Sequence, residues 1–186
     1  MAEESALLEL DVHLEFADYL RYQYYDALRK LWWLIPLFAL AGGFSVIVIV
    51  VSAFYQDSYL LRDIIPFASM IFLGAVFLFA SPYLTAKREY EVNPGLRQMI
   101  RYRLHEGHLA VISTKRQGKL PWSKVREARE TGSSFLLYVQ GSGSAFILPK
   151  HEFPGEAEIS AMRELLMVIL GARKCRFQLG RVSSRF

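Results

Sequence analysis

The chain is poor in cysteine and, over two long stretches, has no charge at all. Cys175 is its single cysteine, which excludes an intramolecular disulfide framework and any cysteine-rich zinc module. No residue between Leu31 and Tyr55, or between Ile64 and Leu84, carries a charge. No paired carboxylate, nucleophile triad or nucleotide loop emerges anywhere, so the chain reads as a protein without catalytic residues or a cofactor. What is present is apolar: 186 residues, 53% hydrophobic and 14% aromatic, with a mean hydropathy of +0.20. That balance excludes a disordered or collagen-like chain and is too apolar for an ordinary soluble domain.

The two uncharged runs are twenty-five and twenty-one residues long. A helix rises about 1.5 Å per residue and a bilayer core is about 30 Å thick, so roughly twenty residues suffice to span it. Both runs therefore predict transmembrane helices, spans 31–55 and 64–84. Trp32 and Trp33 flank the start of the first, Tyr55 and Tyr59 its end, and Tyr83 the end of the second, the headgroup-level positions such rings favour. Only eight residues, Gln56 to Asp63, join the runs, which predicts an antiparallel hairpin. Ala41, Ser45, Val48 and Ser52 recur on one face of the first helix, where small residues allow close packing within the hairpin or in a homo-oligomer.

Charge orients the hairpin. Arg21, Arg29 and Lys30 precede it, Lys87, Arg88 and Arg97 follow it, and the connecting loop holds only Arg62. The positive-inside rule then predicts both termini in the cytoplasm. Glu3 and Glu4 with a late, long apolar run argue for an uncleaved anchor rather than a signal peptide. No ionisable residue lies inside either run, which disfavours a channel or transporter.

Outside the hairpin the pattern changes. Leu8, Leu10, Val12 and Leu14 alternate with Glu9, Asp11, His13 and Glu15, the period of a half-buried strand. Phe16 to Lys30 reads as a helix running straight into the first span. Beyond it, short apolar runs punctuated by turn residues predict strands near 98–104, 108–113, 118–122, 125–130, 134–140 and 145–148. Residues 155–170 then read as an amphipathic helix with Ile159, Met162, Leu165, Leu166 and Ile169 on one stripe, stopped by Gly171. A lone strand needs partners, so the N-terminal strand is expected to join the C-terminal ones. Seven antiparallel strands with one capping helix make the element list of a pleckstrin-homology-like barrel. The expected fold is thus an α+β membrane protein: a two-helix transmembrane hairpin and a cytoplasmic small β-barrel with a C-terminal capping helix. Its parts are residues 1–30 (strand and amphipathic helix), 31–84 (hairpin), 85–172 (β-domain) and 173–186 (basic tail).

Three segments of the β-domain carry a family resemblance: Leu120-Pro121-Trp122-Ser123-Lys124-Val125, Phe135-Leu136-Leu137-Tyr138 and Phe146-Ile147-Leu148-Pro149-Lys150. A tryptophan opening one strand, an aromatic-aliphatic strand and an Ile-Pro-Lys-like turn before the last helix resemble the YcxB-like family, with Leu148 standing where the pattern has Ile. The resemblance implies a bacterial plasma-membrane protein with two spans ahead of a small β-rich domain, and it implies no catalytic residues.

The candidate site is a charge pattern. Residues 84–186 hold eighteen Lys and Arg against nine Glu, a net +9, whereas residues 1–30 carry −4. Lys115, Arg116, Lys119, Lys124, Arg126 and Arg129 cluster across two turns and two strands, and Arg173, Lys174, Arg176, Arg181 and Arg185 make a tail with no acid after Glu164. Lys150, from the third family segment, is added to the candidate contacts, although a solvated lysine at a strand end is its plain reading. A basic domain tethered at the membrane is expected to meet anionic lipid headgroups of the inner leaflet, or a protein partner. Nucleic acid is disfavoured, because no nucleic-acid-binding motif accompanies the charge. The expected function is a membrane-anchored binding or scaffolding module; the alternative is a regulatory or sensory subunit of a larger membrane complex.

Other motifs read as structure. His105-Glu106-Gly107-His108 lacks the spacing of a metal pair and predicts a hairpin turn. Gly141-Ser142-Gly143-Ser144 joins two strands and lacks the Lys-Ser/Thr ending of a phosphate loop. Cys175 has basic neighbours of the kind that lower a thiol pKa, but no motif supplies a base.

Overall fold

A computed structural model describes residues 6–55, 58–113 and 117–177, with the side chains of 49, 52–55, 58–64 and 66–68 outside the description. The chain divides into two compact units, Met1–Tyr19 with Tyr90–Phe186, and Leu20–Glu89.

The first unit is built on two four-stranded sheets. Strands β1 (Leu8–His13), β2 (Met99–Leu104), β3 (His108–Ser113) and β4 (Gln117–Pro121) lie side by side in that order, all antiparallel. The N-terminal strand thus joins its expected partners across the helical segment, with Leu8 opposite Leu104 and His13 opposite Met99. Its alternation sets the register: Leu10 and Val12 are buried, while Asp11 faces Arg101 and Glu9 faces Arg103 on the outer side. The Asp11–Arg101 pair is bidentate, Nε to Oδ1 at 2.6 Å and Nη2 to Oδ2 at 3.0 Å. Opposite charges directly across a ladder resist a one-residue slip, which would also turn Leu10 and Val12 outward.

The second sheet has the order β7-β6-β5-β8, from β5 (Val125–Glu130), β6 (Ser134–Val139), β7 (Ala145–Pro149) and β8 (Cys175–Arg176). Two expectations are corrected here. The described residues hold eight strands rather than seven, because β8 pairs in parallel with β5, Cys175 opposite Ala128 and Arg176 opposite Arg129. A two-residue strand with no apolar alternation gives no periodic signal. Among the described residues the sheets also form no closed barrel. At one corner β4 passes to β5 through a tight turn, Trp122–Lys124, pinned by the buried Trp122 indole N–H donating to the His105 carbonyl at 2.8 Å. At another, the His13 N–H of edge strand β1 donates to the Glu152 carboxylate at 3.1 Å instead of to a strand. One backbone donor at that edge is thus met by a side chain rather than by a further strand.

Helix α4 (Glu156–Leu170) covers the core with Ile159, Met162 and Leu166, as its stripe predicts. Gly171 adopts φ +79°, and its N–H donates to the Met167 carbonyl at 3.0 Å, closing the helix. Strand β6 is buried on both faces from Ser134 to Tyr138, in keeping with its unbroken apolar run. Its Phe135 and Leu137 enter the main cluster with Leu10, Val12, Leu104 and Trp122.

The second unit is helical. Its elements are most of α1 (Phe16–Leu31), then α2 (Leu34–Tyr55) and α3 (Ser58–Val92) up to Glu89. α1 does not run straight into the first apolar run. The chain breaks at Trp32-Trp33, and the axes of Phe16–Leu31 and Leu34–Val48 differ by 74°. Pro36 supplies the reason: it has no N–H for the Trp32 carbonyl, and its ring would crowd that carbonyl in a continuous helix. The Ile35 N–H takes the Trp32 carbonyl instead, at 3.3 Å. Pro36→Ala is therefore expected to straighten the elbow. Spin labels at Arg21 and Phe44 in the detergent-solubilised chain should move apart by roughly 7 Å, given 1.5 Å of rise per residue. An unchanged distance would locate the bend elsewhere.

Helix α3 runs well past Leu84, to Val92, where Asn93-Pro94 ends it. Ser69–Val92, 24 residues, is long and apolar enough to cross a membrane, and the bent α1–α2 pair meets the same measure only if taken together. Phe72, Leu73 and Phe77 are exposed on α3, as are Leu40, Phe44 and Ile47 on α2. Ser45, from the small-residue face, is buried with its hydroxyl donating to the Ala41 carbonyl at 2.9 Å; the side chain of Ser52 lies outside the described residues.

Candidate functional site

The β5–β8 pairing joins what the sequence presents as two separate basic groups. Lys124 closes the turn before β5, Arg126 and Arg129 lie on β5, and Lys174 and Arg176 come alongside it with β8. The Lys174 carbonyl accepts the Ala128 N–H at 2.9 Å, and the Lys174 ammonium donates to the Val125 carbonyl at 3.4 Å. The tail is thereby zipped to the sheet at its start. Residues Lys124, Arg126, Arg173, Lys174 and Arg176 are all exposed along this edge. Glu127, between them, tempers the charge: its carboxylate meets Arg126 and Arg129, each at 3.1 Å. The Arg126 guanidinium also lies over the Tyr138 ring, 5.8 Å from its centroid.

The remaining candidates fall elsewhere. Lys119 is exposed on β4, in the other sheet. Lys115, Arg116, Arg181 and Arg185 lie outside the described residues. Lys150 is no solvated lysine at a strand end: its ammonium sits 2.6 Å from Glu130 Oε1.

Glu130 is the residue that sequence reading missed. Its side chain is 1% exposed, and the same carboxylate receives Arg163 from α4, with Nη2 to Oε1 at 2.7 Å and Nε to Oε2 at 2.9 Å. Lys150, Glu130 and Arg163 thus tie the end of β7, the end of β5 and the middle of α4 together. Burial alone would push the Glu130 carboxyl up, but the hydrogen bonds from Arg163 and Lys150 outweigh it and hold the group below its ordinary range. The sequence carried no plain signal for it: Val125, Ala128 and Glu130 are all buried, but a register shift between Val125 and Glu127 interrupts the alternation that would have put Glu130 on the inward face.

Cys175 is not activated by its basic neighbours. Burial pushes its thiol up, and its Sγ lies 3.4 Å from the Leu166 carbonyl. His105 and His108 face each other across their turn with rings stacked 4.7 Å apart, and His105 is buried. The Gly141–Ser144 segment is a turn in which Gly141 and Gly143 take positive φ, 82° and 66°. These arrangements suit strand connection and packing.

No curated protein and no solved structure matches the chain. One family model does, described as YcxB-like protein, over residues 104–166. That span runs from the end of β2 into α4 and takes in Trp122, Glu130, Lys150 and Arg163. The resemblance read from Leu120–Val125, Phe135–Tyr138 and Phe146–Lys150 is thus borne out, and residues 104–166 of this chain match the YcxB-like family.

Proposed function

We propose that the chain is a membrane-anchored binding module of the bacterial plasma membrane, with two spans, both termini in the cytoplasm, and a contact surface on the β5–β8 edge for an anionic partner. The observation that carries the reading is the alignment of Lys124, Arg126, Lys174 and Arg176 on one sheet edge in a chain that also holds a helix apolar enough to cross a membrane. Membrane tethering raises the effective concentration of any partner held at the same surface, so individually weak charge contacts suffice for binding.

The two-span topology is supported by the uncharged runs and the Lys/Arg asymmetry around them. A membrane-impermeant thiol reagent applied to intact cells should label Ser58→Cys and spare Ser183→Cys, both in a Cys175→Ser background. Labelling of Ser183→Cys would remove the orientation, and protection of both positions would remove the hairpin.

A further inference from the structure

We propose that the exposed face of α4 pairs with the same face of a second copy of this chain, the two helices antiparallel and a two-fold axis passing close to Val168. The proposal goes beyond the binding reading above and concerns a different face. The first observation is a bare apolar side chain. Val168 is 85% exposed, the most exposed large apolar side chain among the described residues, and it lies outside both uncharged runs. Met167, beside it, is 40% exposed. The other face of the same helix already carries Ile159, Met162 and Leu166 into the core, so α4 is apolar on two sides where a surface helix needs only one.

The second observation is the charge on either side of Val168. Ala161, Glu164 and Val168 recur at three- and four-residue spacing and are all exposed, which makes them one stripe. Glu164 stands about 6 Å before Val168 along the axis. Arg173 follows Val168 at the exposed turn beyond Gly171, where the Lys174 N–H donates to the Gly171 carbonyl at 3.1 Å. Among the described residues no ion pair engages Glu164 or Arg173, whereas Glu9, Asp11, Glu127 and Glu130 are each met by cations of their own unit. An acid on one side of an apolar centre and a base on the other is self-complementary under a two-fold rotation. Laying a second α4 antiparallel across Val168 brings Glu164 of each copy to Arg173 of the other, twice over, and opposes the two helix dipoles.

That arrangement selects a second copy over partners of one sign. An anionic leaflet or an acidic segment laid on this face meets Glu164 as a like charge one turn from the apolar centre, and a basic partner meets Arg173; a second copy meets neither conflict. A stripe of a few side chains falls short of the roughly 800 Å² per partner of a stable soluble dimer. The pairing is therefore a weak one that anchoring of both copies in one membrane completes by raising their effective concentration.

The test uses the full chain at low density in phosphatidylcholine vesicles, with donor and acceptor dyes on Lys119→Cys in a Cys175→Ser background. Energy transfer between copies is expected in that background. Glu164→Arg and Arg173→Glu, each on its own, should weaken self-association at least tenfold, because each sets like charges together in both contacts. Mixed with one another, the two variants should pair as well as the unreversed chain, since every contact again joins an acid to a base. No transfer in the unreversed chain, transfer that ignores the single reversals, or a mixture that fails to recover it would each overturn the pairing. Polyanion binding at the β5–β8 edge is a separate measurement, so these outcomes leave the binding reading where it stands.

Discussion

Replacing Glu130 with glutamine is expected to cost about 3 kcal/mol or more, because it leaves two cations converging on a buried neutral group. Glu130 is 1% exposed, and Lys150 and Arg163 are 19% and 29% exposed, so solvent screens this cluster far less than it screens the surface pairs of β1 and β2. Amide hydrogen exchange of β5 and β6 in the full chain, measured in detergent, should accelerate by about a hundredfold, as tenfold corresponds to 1.4 kcal/mol. Changing Glu130, Lys150 and Arg163 together to apolar residues of similar size should be milder than the single change, since no uncompensated charge stays behind. A single variant as stable as the natural chain would show that the cluster holds nothing together.

The same cluster sets an acid limit. The folded Glu130 carboxyl titrates below its unfolded value of about 4.5, because Arg163 and Lys150 favour the ionised form over the opposing effect of burial. A depressed group stabilises the fold above its unfolded pKa and loses that contribution as pH falls through its folded pKa. Stability of the strand unit should accordingly be level from neutrality down to about pH 5 and fall below about pH 4.5. Glu130→Gln should flatten that acid fall. An unchanged acid profile in the variant would assign the fall to other carboxylates, Asp11 among them, which Arg101 also holds low.

Deleting residues 1–14 is expected to unfold the strand unit. β1 supplies a full set of ladder partners to β2 and buries Leu10, Val12 and Leu14, at 5%, 2% and 6% exposure. Burying a Leu or Val side chain is worth about 1.5–3 kcal/mol, so the three together rival the roughly 5–15 kcal/mol that a domain has in total. The truncated chain should lose slow-exchanging amides in β2 and β3 while α3 keeps its own. Supplying a peptide of residues 1–16 in trans should restore part of that protection, an outcome that simple truncation damage would not produce. Full protection in the truncated chain would show β1 to be dispensable.

Local periodicity alone determined a good deal of this protein. Alternation over residues 7–15 marked a strand, of which Leu8–His13 form β1, and required it to find a sheet; the Gly- and Ser-marked turns bounded β2 to β7 within a residue or two, and the 3.6-residue stripe set α4. Those signals are local because a strand shows its buried face every second residue and a helix every third or fourth. The remainder waited on tertiary structure. The elbow at Trp32-Trp33 depends on a carbonyl that Pro36 leaves without its donor, and uncharged runs report composition rather than direction. β8 exists because two residues of a basic tail fall beside an open strand edge, and pairing between segments some fifty residues apart carries no local period. Lys124 and Lys174 belong to one edge for the same reason. Glu130 was hidden by the register shift between Val125 and Glu127, and its meaning came from Lys150 and Arg163, twenty and thirty-three residues away. Packing alone decides whether a buried carboxylate is met by two cations or by none.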